Sequence, residues 1–215
     1  MRISALALVL LVGTMLLISC GGPKSGQQAE SPKTPPPSSA PPTPQPSAPP
    51  PSPPPPPSVS TNPVAIVETS MGTFKIELFA DKAPHTVQNF IELVNRGFYK
   101  NMIFHRVVAG FVIQTGDPTG TGRGGSERSI KLEIHPDLKH DRAGIVGMAR
   151  SQDPDSATSQ FYITLGPAPH LDGKYAIFGR VIEGLEVVMA IGQVEVGPGD
   201  RPVVPVELKS ISLQQ

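Results

Sequence analysis

The chain has 215 residues, with 18 basic and 18 acidic side chains and a formal net charge of zero. That balance offers no basic surplus for a phosphate backbone, so nucleic acid is not an expected partner. A single cysteine excludes an intramolecular disulfide, and most of the 27 prolines crowd into the front of the chain, leaving one domain-sized remainder.

Residues 1–20 begin with Arg2 and continue as an apolar run from Ala5 to Ile18 that ends in Leu17-Ile18-Ser19-Cys20. A short cationic start, an apolar centre and small residues before a cut form the pattern of a secretory signal. The run is shorter than the roughly 20 apolar residues of a membrane span. Leu-Ile-Ser-Cys resembles a bacterial lipobox, which implies that Cys20 becomes the acylated first residue of the mature chain. The alternative is an ordinary signal peptide with an incidental cysteine. With an acyl anchor contributing about 0.8 kcal/mol per buried methylene, the expectation is a protein lipid-anchored to a membrane of the cell envelope and facing outside the cytoplasm. Residues 21–62 are Pro, Ser, Thr, Gln and Ala with almost nothing to bury, so they read as a disordered linker. In polyproline II form, at about 3.1 Å per residue, such a linker reaches up to roughly 100 Å. It serves either as a spacer or as a docking segment.

Residues 63–215 are one domain by length. Val64–Thr69 and Gly72–Phe79 read as two strands joined by a turn at Ser70-Met71-Gly72, with Phe74, Ile76 and Leu78 alternating against Lys75 and Glu77. Pro84 opens a helix whose apolar face is Val87, Phe90, Ile91 and Val94, ending near Gly97. Short apolar runs at 103–108, 111–115, 130–134, 145–149, 160–165 and 176–182 are bounded by Gly, Pro or Asp, as strands are. A second helix is expected between Gly184 and Gly192, and a last strand over Val204–Leu213. Many strands and two separated helices fit a mainly β fold, a closed antiparallel barrel with helices over its ends.

Three motifs carry the chemistry: Phe104-His105-Arg106 running on to Gly110-Phe111-Val112-Ile113-Gln114-Thr115-Gly116-Asp117; Ser159-Gln160-Phe161-Tyr162-Ile163; and Leu171-Asp172-Gly173-Lys174. Together they closely resemble the cyclophilins, which are peptidyl-prolyl cis-trans isomerases, and the resemblance runs from about Pro63 to Leu213. It implies an eight-stranded barrel with two capping helices, proline-containing polypeptides as partners, and neither a cofactor nor a metal. It also assigns roles. Arg106 matches the arginine that stabilises the rotating prolyl amide, and Gln114 matches the glutamine that helps hold that arginine and the substrate backbone. Phe111, Val112, Tyr162 and Leu171 match the proline-ring pocket, and Ala149 and Gln160 match the groove for the substrate backbone. As apolar residues alone, the pocket members read first as barrel core, and only their position in the motifs points to the pocket. His105 is expected to be a hydrogen-bonded structural histidine.

Three positions depart from the better-known members of that family. His170 stands where a tryptophan contacts cyclosporin-type inhibitors, Tyr175 replaces a pocket histidine while keeping a ring edge and a hydroxyl, and Arg150 replaces an asparagine. Arg150 suggests a preference for acidic residues near the target proline. The glycines of Gly120-Thr-Gly-Arg-Gly-Gly lack the Gly-Lys-[Ser/Thr] ending of a phosphate loop. His135 and His140 are five apart around a proline with no third ligand, which argues against a metal. The expected function is therefore a monomeric isomerase that assists the folding of exported proteins. The alternatives are a catalytically weak module that binds proline segments on the envelope, and a structural envelope lipoprotein.

Overall fold

A computed structural model describes residues 62–214 of the chain. The readings that fall on residues 1–61, Cys20 among them, lie outside the described residues. Alternation builds the first hairpin as expected: β1 (Val64–Thr69) pairs antiparallel with β2 (Gly72–Leu78), and Thr69 faces Gly72 across the turn. The Thr69 hydroxyl closes that turn, donating to the Gly72 carbonyl at 2.7 Å while accepting the Met71 amide at 3.1 Å. Gly72 is required there. Its φ is +139°, and a Cβ would meet Val187 at 2.8 Å.

The remaining strands are β3 (Met102–Ile103), β4 (Arg106–Val108), β5 (Val112–Thr115), β6 (Ile145–Met148), β7 (Phe161–Thr164), β8 (Ile177–Glu183) and β9 (Glu207–Leu213). Their order in the sheet is β3-β9-β1-β2-β8-β6-β7-β5-β4, and every pairing is antiparallel. The two edge strands, β3 and β4, are separated in the chain by Phe104 and His105 alone. One interrupted segment, 102–108, therefore supplies both edges, and the sheet curls round until they meet. Counted as one strand, it turns the nine into the expected eight. Curling of this kind also leaves no long edge to pair with another chain.

Two expected strands change. Val204, Pro205 and Val206 stay outside β9; the prolines at 202 and 205 have no N–H to give a ladder. The 130–134 run forms a single bridge, Ile130 to Ala157, and no strand. It caps a helix instead. Helix α1 (Pro84–Asn95) starts at a proline whose missing N–H costs nothing there, but its cap residue, Ala83, has no side-chain acceptor. Glu133 supplies one. One carboxylate oxygen accepts the His85 amide at 3.2 Å, and the other accepts the Thr86 amide and the Thr86 hydroxyl at 2.6 Å each. A negative charge at this end also complements the helix dipole.

The interior is one apolar cluster. The α1 face places Phe90 against Tyr99, Phe161 and Phe178, with ring centroids 5.3, 5.6 and 5.2 Å apart. Helix α2 (Leu185–Ile191) is short, buries Val188 and Ile191, and packs on β2.

Replacing Glu133 by Ala leaves the first amides of α1 without their acceptor and is expected to lower stability by about 1–2 kcal/mol. Urea unfolding checks this: the midpoint falls with the slope unchanged, and Glu133→Gln recovers part of the loss because its amide oxygen still accepts.

Candidate active site

The two-residue period of a strand sends alternate side chains to opposite faces. On β5 and β7, Ile113, Thr115, Phe161 and Ile163 go inward and are at most 1 % exposed. Val112, Gln114 and Tyr162 point the other way, as do Arg106 and Val108 on β4, where Val107 is the buried residue. The register then aligns this outer set, because directly opposed residues share a face. Arg106 faces Gln114 across β4 and β5, Gln114 faces Tyr162 across β5 and β7, and Tyr162 faces Gly147 across β7 and β6. The expected catalytic pair and the pocket tyrosine form one transverse row.

Around that row lies an apolar cluster separate from the barrel core. Val112, Tyr162, Ala168 and Leu171 are its buried members, and Val108, Phe111, Ala149 and Tyr175 pack against them. The choice left open by residue type is thereby decided for Phe111, Val112, Ala149, Tyr162, Leu171 and Tyr175: they belong to this outward-facing group. They enclose a cavity of about 180 Å³ together with Arg106, Gln114 and Arg150. That volume is close to the roughly 150 Å³ known to hold one small ring. A broader groove of about 540 Å³ adjoins it, sharing Gln114, Ala149 and Arg150, and runs past Gln160 and the 122–126 loop.

The polar members are held, though not all as expected. Gln114 donates its side-chain amide to the Gln160 carbonyl oxygen at 2.8 Å, and Gln160 donates in turn to the backbone carbonyls of Gly122 and Gly124 at 3.1 and 2.7 Å. Arg106 is steadied by Asp200, whose carboxylate accepts from Nε at 3.3 Å, while the arginine side chain stays 39 % exposed. Sequence reading missed Asp200. It lies 94 residues away and comes back only because Gly199 and Asp200 both adopt positive φ in the loop before β9.

The glycine-rich loop is ordered by an anion. Asp117, 1 % exposed, accepts the Thr119, Thr121 and Gly122 amides at 2.7, 3.0 and 2.6 Å and the Thr119 hydroxyl at 2.8 Å. Burial pushes its pKa up, but those hydrogen bonds outweigh burial and hold it at about 2. The same loop presents the Gly122 and Gly124 carbonyls to Gln160, so this carboxylate positions one side of the groove.

Three other residues that the sequence singles out lie beside the site. His105 is buried, with the Gln160 side chain as its polar neighbour; burial lowers its pKa. Arg150 is a wall of the pocket. Its guanidinium lies 4.7 Å from the Tyr175 ring centroid, with Nε on the Lys174 carbonyl at 3.0 Å and Nη1 on the Ser151 carbonyl at 2.8 Å. It also lines the broader groove, so its charge faces the path of the substrate. His170 lies against Phe111, ring centroids 5.2 Å apart, at the rim.

Such an architecture defines a curled antiparallel barrel with a small apolar pocket and an exposed arginine on its outer wall. The family described as "Cyclophilin type peptidyl-prolyl cis-trans isomerase/CLD" matches residues 64–213, and the chain belongs to it. It is 51 % identical over 146 residues to "Peptidyl-prolyl cis-trans isomerase-like 1" of Aspergillus fumigatus, covering 66 % of this chain and 90 % of that protein. The mouse protein of the same name is 47 % identical over 156 residues, covering 71 % and 93 %. Among solved structures, a cyclophilin type isomerase of Cryptosporidium parvum crystallised in the presence of the dipeptide Ala-Pro matches with a TM-score of 0.69 at 40 % identity, over 71 % of this chain and 99 % of that one. The chain is thus a peptidyl-prolyl cis-trans isomerase of the cyclophilin type.

Because the folded pKa of Asp117 lies below its ordinary value of 3.8, the stability it contributes is fully present above about pH 4 and is lost as the pH falls through about 2. Acid unfolding of wild type and Asp117→Asn checks this. The wild type is the more stable protein above pH 4, and the gap closes towards pH 2.

Proposed function

We propose that this isomerase works outside the cytoplasm, tethered to a membrane through an acylated Cys20 and a proline-rich spacer, on X-Pro bonds of exported polypeptides. The lipobox-like Leu17-Ile18-Ser19-Cys20 and the composition of residues 21–62 support the location. On this reading the domain acts as a monomer.

The carrying observation for the chemistry is the row Arg106–Gln114–Tyr162 bordering one small apolar cavity. Rotation about an X-Pro bond faces a barrier of about 18–20 kcal/mol because the amide C–N bond has partial double-bond character. No bond forms or breaks, so neither a nucleophile nor a metal is required. As the amide twists, the prolyl nitrogen becomes pyramidal and regains its lone pair. A donor aimed at that nitrogen acts mainly in the transition state, where it lowers the barrier. Arg106 fills this role, since its guanidinium stays charged and its fork is rigid. Phe111, Val112, Tyr162 and Leu171 hold the proline ring while the acyl side turns. Gln114, Gln160 and Ala149 line the path of the substrate backbone, and Tyr175 closes the pocket beside Tyr162, with ring centroids 6.0 Å apart. The presence of Ala-Pro with the Cryptosporidium relative supports a small residue before the proline as an acceptable substrate.

Arg106→Ala is expected to reduce kcat/KM for an Ala-Pro-Phe peptide by about 10²–10³-fold, with far-ultraviolet dichroism unchanged, when the full-length protein is assayed in detergent. An inactive wild type that still binds the peptide would favour the alternative, a module that holds proline segments on the envelope. For the location, labelled palmitate supplied to a bacterial host is expected to enter the wild-type chain and not Cys20→Ala. Equal labelling of the two would end the anchored reading.

A further inference from the structure

Behind the pocket lies a polar anchor that the isomerisation chemistry does not use. The Tyr162 hydroxyl is 2.8 Å from His140 Nε2, and His140 Nδ1 is 2.8 Å from Asp172 Oδ1. His140 is 0 % exposed and Tyr162 5 %, so water replaces neither contact. A carboxylate only accepts, which puts the ring proton on Nδ1 and leaves Nε2 to accept from the tyrosine. The backbone of His140 is engaged as well: its N–H donates to the same Asp172 oxygen at 2.8 Å, and its carbonyl accepts the Ala168 amide at 2.7 Å. One residue thus grips both ends of the 168–172 turn, which carries Leu171. Space has been cleared for the arrangement. A Cβ on Gly147, the register partner of Tyr162, would collide with the phenol oxygen.

We propose that His140 is a positioning residue for X-Pro isomerisation, locking Tyr162 and the Leu171 turn together as rigid walls of the proline pocket. The proposal rests on reading the cavity as that pocket. A pocket that must hold a ring still while the attached peptide turns depends on walls that do not yield, and side chains fixed by hydrogen bonds behind the site provide them.

The lock has a pH dependence that a merely structural histidine lacks. The charged and titratable groups facing His140 are Asp172 and His170 from the turn and Tyr162 from β7, with Tyr175 and Arg150 beyond the tyrosine and Lys139 and Asp141 on either side in the chain. Burial lowers the His140 pKa below its ordinary 6.5, and Asp172 offsets only part of that, so the ring is singly protonated at neutral pH. A second proton turns Nε2 into a donor and leaves the phenol proton with no acceptor.

The test compares full-length wild type, Tyr162→Phe and Asp172→Asn, reading both kcat/KM and the dissociation constant of an Ala-Pro peptide from pH 5 to 8. Tyr162→Phe keeps the ring and removes the hydroxyl. It is expected to weaken binding about fivefold at pH 7.5, the worth of roughly one neutral hydrogen bond, and to abolish the loss of binding expected of wild type towards the acid end of the range. Asp172→Asn keeps the shape but releases the tautomer, and is expected to weaken binding similarly. The proposal is overturned if Tyr162→Phe binds within twofold of wild type with the same pH profile, even where melting temperatures differ. Because binding is measured beside rate, an inactive wild type would sink the role given to Arg106, while the binding comparison still decides the anchor.

Discussion

Everything about this site depends on side-chain alternation across four neighbouring strands of a sheet whose edges meet. In β4, β5, β7 and β6 one parity of residues fills the barrel and the other faces outward, and the register sets Arg106, Gln114, Tyr162 and Gly147 side by side. A slip of one residue in β5 would exchange Gln114 for the core residue Ile113 or Thr115 and would put a polar amide into the interior. Burial of Ile113, Phe161 and Ile163 therefore stabilises the fold and also orients the functional row. The cavity can be small and well defined because its walls are the reverse side of a packed barrel.

Loops complete what the strands begin, and carboxylates hold the loops. Asp117 gathers the amides of the glycine-rich loop and so presents the carbonyls that fix Gln160 and, through it, Gln114. Glu133 caps α1, whose Phe90 packs on the inner face of β7 beneath Tyr162's neighbours. Asp200 steadies Arg106, and Asp172 holds His140 against Tyr162. Each of these acids accepts hydrogen bonds that the backbone could not supply locally. Irregular chain is thereby given a definite conformation next to the groove, where regular strand pairing has ended.

The motifs made much of this legible. Phe104–Asp117 and Ser159–Ile163 hold short apolar runs with Gly or Asp at their ends, so the strands follow from local pattern, and the family resemblance of these motifs brings Arg106, Gln114 and Tyr162 together. Whether Phe111, Val112 and Leu171 were core or pocket did not follow, since both environments select apolar residues and only the three-dimensional separation of two clusters tells them apart. The 130–134 run looked like a strand because it is a short apolar run bounded as the others are, but it makes a single bridge, and its function lies in Glu133. Asp200 and His140 were out of reach for a related reason. Their partners are separated from them by 94 and by 22 or more residues, and no periodicity links such distances.

The row Arg106–Gln114–Tyr162 and its apolar cavity put proline-containing peptides on the outer face of β4, β5 and β7. Titrating an isotope-labelled full-length chain with an Ala-Pro peptide and following backbone amide shifts decides whether they bind there. Saturable shifts are expected at Arg106, Phe111, Gln114, Tyr162 and Leu171, with much smaller ones along β1 and β9. Shifts centred instead on β1, β2 and β9, or spread evenly over the sheet, would place binding elsewhere.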